Sequence, residues 1–173
     1  VSAGWLAHMV ACAEETGASA VSPLVFEGTL ENQVIHLFGG HLKFTDERGA
    51  RGFHEVHLFN GQTVDEVASE IRRMPTDFFE FHCVLVRRDV LDTVGPCDER
   101  LLSLQEHLDL SLLIRQAGGK TVTAFRSPGM NADFIEVEKP VEQPHVPIGG
   151  SAGADVAAIV GVTSASAGYR ARP

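Results

Sequence analysis

The strongest constraint on the fold is a strand pattern that leads directly into a helix pattern. Residues 78–86 (FFEFHCVLV) are aromatic and β-branched, and their apolar side chains alternate with Glu80 and His82. Such alternation is typical of a β-strand with two different faces. Residues 87–94 then fit a short helix that ends at Gly95. A strand followed at once by a helix favours an α/β fold.

The rest of the chain predicts the same alternation. Helices are predicted over residues 2–17, 63–74 and 103–119, each from apolar residues at helical spacing with a capping or stop signal. Strands are predicted over residues 18–26 and 120–125, with a hairpin over 34–44 around Gly39 and Gly40 and a mobile loop over 46–52. We expect Pro23 to place the first strand at a sheet edge, a strand start or a bulge. The predicted fold class is α/β, with helices covering the sheet.

Composition changes near residue 140, where Pro, Gly, Ala and Ser become frequent. We therefore predict one folded domain over residues 1–139 and a tail or linker over 140–173. A short apolar element at 156–162 is the one candidate for structure in that tail. The chain starts at Val1 inside a predicted helix start, so we expect a piece of a longer protein.

Charge and cysteine content limit the partners. The net charge of −9, from 14 basic and 23 acidic residues, disfavours nucleic-acid binding, which needs clustered Lys and Arg. The three cysteines show no CxxC spacing and are expected to be reduced thiols of a cytoplasmic protein. The sequence contains no apolar run long enough to cross a bilayer. The oligomeric state stays open.

Four segments, in order along the chain, resemble family 2 glycosyltransferases of the GT-A fold. Residues 1–17 (VSAGWL to AEETG) are similar to the helix that follows the acidic metal-binding motif of that family, and residues 35–40 (IHLFGG) to its small Gly-Gly hairpin. Residues 81–99 (FHCVLVRRDVL to VGPCDE) resemble its Arg-Arg strand and helix. Residues 106–119 (EHLDLSLLIRQAGG) resemble its Glu-Asp helix. The order of the four matches is more specific than any one of them.

The resemblance implies the acceptor-side, C-terminal part of a GT-A domain, with a mixed sheet and helices on both faces. It implies inverting transfer of a sugar from a nucleotide-sugar donor to a hydroxyl of a carbohydrate or lipid-linked acceptor. It also implies Mg²⁺ or Mn²⁺ at the donor diphosphate, held by residues expected before Val1 and not in this chain. We expect a cytoplasmic location, with attachment to a membrane surface as an alternative.

The catalytic candidates are His107 and Glu106. The resemblance places His107 where the family usually carries the aspartate that removes the acceptor proton, and an imidazole is a competent base at neutral pH. Glu106 is its candidate assistant. Two structural alternatives stay open: Glu106 could close a capping box with Ser103, and His107 could be a packed histidine at a helix start.

The candidate substrate-binding residues are Glu80, His82, Arg87, Arg88 and Trp5. Glu80 and His82 lie on the polar side of the predicted strand, which could equally be a solvated or helix-covered face. Arg87 and Arg88 follow that strand, and the resemblance places them near the donor diphosphate; solvated arginines are the alternative. Trp5 could stack on a sugar, although core packing is commoner for Trp.

The eight histidines raise the possibility of a metal site, most of all His36 with His41 and His54 with His57. Their spacings match no compact ligand set, so we expect scattered surface histidines. Two other functions remain as alternatives: a non-catalytic sugar- or protein-binding module derived from a glycosyltransferase, and an unrelated metal-dependent or hydrolase-like enzyme. The chain contains no HExxH motif, which disfavours the unrelated metal-dependent enzyme.

Overall fold

The computed structural model describes residues 4–27, 33–47, 50–101 and 105–125, and the strands at 134–136 and 156–159. These residues contain three helices: α1 (Trp5–Thr16), α2 (Arg88–Val94) and α3 (Glu106–Gln116). They contain nine strands: β1 (Ala20–Glu27), β2 (Val34–Leu37), β3 (Gly40–Glu47), β4 (Ala50–His57), β5 (Pro75–Thr76), β6 (Val84–Arg87), β7 (Thr121–Ala124), β8 (Phe134–Glu136) and β9 (Val156–Ile159). The predicted mixed α/β class is confirmed.

The long strand β1 is the centre of a seven-stranded mixed sheet with the order β5-β7-β1-β6-β9. Its first half pairs with β7 in parallel and with β6 antiparallel, and its second half pairs with β8 and β2. Pro23 lies where β1 exchanges these partners. A central strand therefore accommodates the proline at a change of partner. Of the three expected placements the sheet edge is wrong, while the pairing of β1 with β2 shifts register between Val25 and Phe26, as at a bulge.

Helices cover both faces of this sheet. On one face α1 packs Met9 and Cys12 against Val21 and Leu85. On the other face α3 packs Leu110 and Ile114 against alternate residues of the same strands, namely Ala20, Val84 and Val86. Leu6 belongs to the apolar spacing that predicts α1, yet its side chain is 42% exposed. The predicted apolar face of α1 is therefore wrong at this end.

The hairpin lies one strand later than predicted. β2 pairs with β1, whereas β3 pairs with β4 over eight residues each to form a separate two-stranded sheet. The predicted mobile loop at 46–52 is therefore mostly strand, with residues 48 and 49 outside the described part. The first residue of β3 is a glycine, Gly40. Its backbone lies against Val56 O and the Phe78 ring, so a side chain would not fit there.

Two other predicted elements differ. Thr63 and Glu66 form the predicted capping box, with the Thr63 N–H donating to Glu66 Oε2 at 2.7 Å, but residues 64–70 form successive turns rather than a helix. The strand predicted at 78–86 is formed only as β6. Phe78 and Phe79 are both fully buried, in different core clusters, and residues 78–83 form no strand before β6.

The C-terminal half agrees better with the predictions. α2 ends at Gly95, which has a positive φ, and the Gly95 N–H donates to Leu91 O. α3 and β7 follow as predicted, while Ser103 lies outside the described residues. One strand of the predicted tail, β9, pairs with β6, and the remainder of 140–173 is also outside them. Among the helices described here, none has the length and apolar character needed to cross a membrane.

Candidate functional site

Six polar side chains from four parts of the chain meet beside the two sheets. We call this group the histidine cluster: His36 from β2, Glu55 and His57 from β4, Glu80 and His82 from the segment before β6, and His107 from the first turn of α3. The alternation of side chains along β2 and β4 explains the contributions of these two strands. In β2, Ile35 and Leu37 enter the core and His36 points away from it.

Glu80 is the centre of the histidine cluster. Its Oε2 atom lies 2.8 Å from His82 Nε2 and 3.3 Å from His36 Nε2. Its other oxygen, Oε1, lies 3.9 Å from His57 Nδ1. The Glu80 side chain is only 17% exposed, so these imidazoles replace most of the water around the carboxylate.

His36 and His82 also lie within hydrogen-bond distance of each other. Their Nε2 atoms are 2.9 Å apart, and their rings meet edge to face. On the far side of the His36 ring, Nδ1 lies 3.3 Å from Glu27 Oε1. Three polar atoms from His36, Glu80 and His82 therefore converge on one point.

The other half of the cluster is looser. Glu55 Oε2 lies 3.2 Å from His57 Nε2 and 3.9 Å from His107 Nε2. Both His57 Nδ1 and His107 Nε2 are buried nitrogens without a hydrogen-bond partner among the residues described. Buried polar atoms without a partner are uncommon, and water, an ion or a substrate group can supply one.

Aromatic rings hold the two imidazoles of this half in place. The Phe78 ring packs edge to face on His57, with centroids 5.1 Å apart, and Phe81 packs in the same manner on His107 at 6.3 Å. Phe78 also joins the buried cluster of Leu37, Leu42 and Leu108. Phe78 thus connects His57 of the polar site to the buried core.

The electrostatics of the cluster centre on an ionised Glu80. Burial opposes ionisation of Glu80, but hydrogen bonds from His36 and His82 and their positive charge hold its pKa well below the ordinary value. The hydrogen bond to Glu80 raises the pKa of His36, against the effect of burial, and the charges of Glu80 and Glu27 add to the rise. The site therefore favours a cation next to the Glu80 carboxylate.

The structure brings together three of the predicted site residues and separates the others. Glu80, His82 and His107 belong to the cluster. Glu106 instead accepts a hydrogen bond from the Gln105 N–H at 3.1 Å. Arg87 pairs with Asp89 at 2.7 Å, and Arg88 is exposed on α2. Trp5, the first residue of α1, packs against the core.

Sequence reasoning missed His36, Glu55 and His57. The expectation of scattered surface histidines is wrong for His36 and His57, although His41 and His54 are exposed as expected. The missed signal is the alternation in β4, where Glu55 and His57 point one way and His54 and Val56 the other. The sequence pattern predicts no strand over these residues, so their alternation was not considered.

Two sets of three side chains in the described part could hold a metal ion: His36, Glu80 and His82, and Glu55, His57 and Glu80. Mg²⁺ prefers oxygen ligands in octahedral geometry, whereas each set offers imidazole nitrogen. Neither set therefore fits the magnesium ion that the resemblance implies for a donor diphosphate. No known family model matches the chain, and no curated protein matches it either.

Proposed function

We propose that this chain forms the acceptor side of an inverting glycosyltransferase, in which His107 removes the proton of the acceptor hydroxyl. The observation that carries the proposal is the convergence of Glu80, His82 and His107, predicted separately as site residues, in one partly buried cluster. The mixed sheet with helices on both faces is compatible with a GT-A domain. The expected partners are a nucleotide-sugar donor and a carbohydrate or lipid-linked acceptor.

His107 is suited to the base because its Nε2 is buried and lacks a hydrogen-bond partner among the described side chains. A hydroxyl oxygen about 2.8 Å from Nε2 could direct its proton at the nitrogen, while Glu55 Oε2, 3.9 Å from Nε2, acts through its charge. The Glu55 carboxylate would then stabilise the imidazolium that forms when His107 takes the proton. This role belongs to Glu55 rather than to Glu106, whose carboxylate accepts a backbone N–H.

In the proposed reaction the acceptor O–H gives its proton to His107 Nε2, and the acceptor oxygen forms a bond to the anomeric carbon. The bond from that carbon to the donor diphosphate breaks, and the nucleoside diphosphate leaves with the electron pair. Mg²⁺ or Mn²⁺, held by residues that the resemblance places before Val1, would neutralise the leaving group. Glu80 and His82 would line the acceptor-binding side of the cluster.

The test is to replace His107 with Ala in the full-length protein and to measure sugar transfer and donor hydrolysis separately. General-base catalysis contributes about 10²–10⁴-fold, so transfer should fall by that factor while donor hydrolysis to water persists. His54→Ala is the matched control, because His54 is an exposed histidine of β4 outside the cluster. Unchanged transfer by His107→Ala would exclude His107 as the base.

Calorimetry with nucleotide sugars tests the activity class itself. An acceptor-side glycosyltransferase portion requires that the full-length protein bind such a donor. If no nucleotide sugar binds, the chain is better described as a non-catalytic sugar- or protein-binding module, and the sugar-transfer proposal fails.

A further inference from the structure

We propose that His36, Glu80 and His82 bind a divalent transition-metal ion of the zinc class, through His36 Nε2, His82 Nε2 and Glu80 Oε2. The site is distinct from the donor-diphosphate metal that the resemblance implies, because its ligands lie within this chain and include two imidazoles. Metal binding here does not depend on sugar transfer.

The three ligand atoms are already spaced as one ion requires. Their mutual distances are 2.9 Å, 3.3 Å and 2.8 Å. Ligands bonded to Zn²⁺ at about 2.0–2.1 Å stand roughly 2.9–3.4 Å apart for bond angles between a right angle and the tetrahedral value. One ion can therefore reach all three atoms with only small movements of the side chains.

Protons alone cannot satisfy this arrangement. Three close contacts join the two Nε2 atoms and the Glu80 oxygen, but an ionised carboxylate brings no proton and each Nε2 carries at most one. At least one of the three contacts must therefore lack a bridging hydrogen. A cation placed between the atoms accepts a lone pair from each and removes the conflict.

The surroundings of His36 support the metal-binding tautomer. Its Nδ1 lies 3.3 Å from Glu27 Oε1, so an Nδ1–H would face a carboxylate and leave the Nε2 lone pair directed at the site. A ligating histidine whose other nitrogen meets a carboxylate is the common arrangement around protein metals. Glu27 is therefore a positioning residue for His36.

Burial and charge also favour a dication. The side chains of His36, Glu80 and His82 are 30%, 17% and 18% exposed, so the ion would be largely shielded while keeping access for an outside ligand. The Glu27, Glu55 and Glu80 carboxylates all lie within the cluster or beside it. Two imidazoles and one carboxylate suit Zn²⁺, Co²⁺ or Ni²⁺, and three protein ligands leave a position for water or a substrate oxygen.

The experiment titrates chelator-stripped, tag-free protein with Zn²⁺ by competition against a chromophoric chelator, and with Co²⁺ by visible absorption. We expect Zn²⁺ binding in the wild type that excess Mg²⁺ does not displace. His36→Ala and His82→Ala should each weaken binding by at least about 100-fold, since loss of an outer partner alone costs roughly 10–100-fold. Glu27→Gln removes only an outer partner of His36 and should weaken Zn²⁺ binding by roughly 10–100-fold.

The matched control is His54→Ala, which removes an exposed histidine and should bind Zn²⁺ as the wild type does. Circular dichroism checks that each variant folds. Glu80→Gln, which keeps the size of the side chain and removes its charge, supplies the decisive variant if a histidine variant unfolds. No binding by the wild type would overturn the proposal, as would binding that the histidine variants and Glu80→Gln leave unchanged. Because no sugar transfer is measured, this failure is distinct from failure of the proposed activity.

Discussion

His107 Nε2 lies 3.9 Å from Glu55 Oε2, although the two residues belong to different elements and stand far apart in the sequence. β4 supplies the carboxylate, and the first turn of α3 supplies the imidazole. The same Glu55 oxygen lies 3.2 Å from His57 Nε2. Glu55 therefore joins two imidazoles and determines where positive charge is stabilised in this half of the cluster.

Replacing Glu55 with Gln should lower kcat for sugar transfer while leaving the acceptor KM nearly unchanged. The carboxylate is assigned to the imidazolium that forms during proton transfer, so its loss affects the transition state more than acceptor binding. We expect a reduction of about tenfold, equivalent to about 1.4 kcal/mol. Glu70→Gln, at an exposed glutamate outside the cluster, is the control. A rise in KM alone would instead assign Glu55 to acceptor binding.

Replacing His107 with Asp should move the pH dependence of sugar transfer. A general base must be unprotonated, so the rate falls as pH falls through the pKa of the base. Carboxyl groups have a reference pKa near 3.9 and imidazoles one near 6.5, so the acid limb of the kcat/KM profile should shift to lower pH in His107→Asp. The measurement is kcat/KM across that pH range. An acid limb that does not move would mean that another group is the base.

Local signals predicted the helix ends well. Gly17 and Gly95 both have positive φ angles and donate to carbonyl groups of the helices that they end, because this geometry depends on residues within one turn. The Thr63–Glu66 capping box also forms, but a cap does not guarantee that a helix follows it.

The histidine cluster could not be predicted in the same way because its contacts are long-range. His36 meets His82 across 46 residues, and the contact depends on the chain leaving strand geometry at Phe78 and Phe79. Both rings are buried, in separate clusters, and residues 81–83 form a turn and a bend before β6. The sequence predicts Glu80 and His82 from their own segment, whereas their partners depend on distant pairings, of β2 with β1 for His36 and of β4 with β3 for His57.

Gly40→Ala should destabilise the protein. The new Cβ would meet Val56 O and would stand 2.7 Å from the Phe78 ring, and the backbone and a buried ring cannot both move away cheaply. Such overpacking costs about 1–3 kcal/mol in free energy of unfolding. Gly52→Ala is the matched control in the same two-stranded sheet, because its nearest neighbour is Thr45 Oγ1 at 3.3 Å. Urea unfolding measures both variants, and equal stabilities would contradict the close approach at Gly40.

Thiol labelling should distinguish Cys97 from Cys12 and Cys83 in the native protein. Cys97 is exposed, whereas Cys12 and Cys83 are buried in the core beneath α1. Burial raises the pKa of the Cys83 thiol to about 12, so this sulfur carries almost no thiolate at pH 8 and is also shielded from reagent.

For Cys97, partial desolvation and the negative charge of Asp109 raise the pKa of the thiol above its ordinary value. Its iodoacetamide labelling rate should therefore keep rising through and beyond pH 9, because only the thiolate reacts. Mass spectrometry should show one fast label in native wild-type protein, none in Cys97→Ser and three in denatured wild type. Labelling of Cys83 as fast as Cys97 in the native protein would mean that the sheet opens beneath α1.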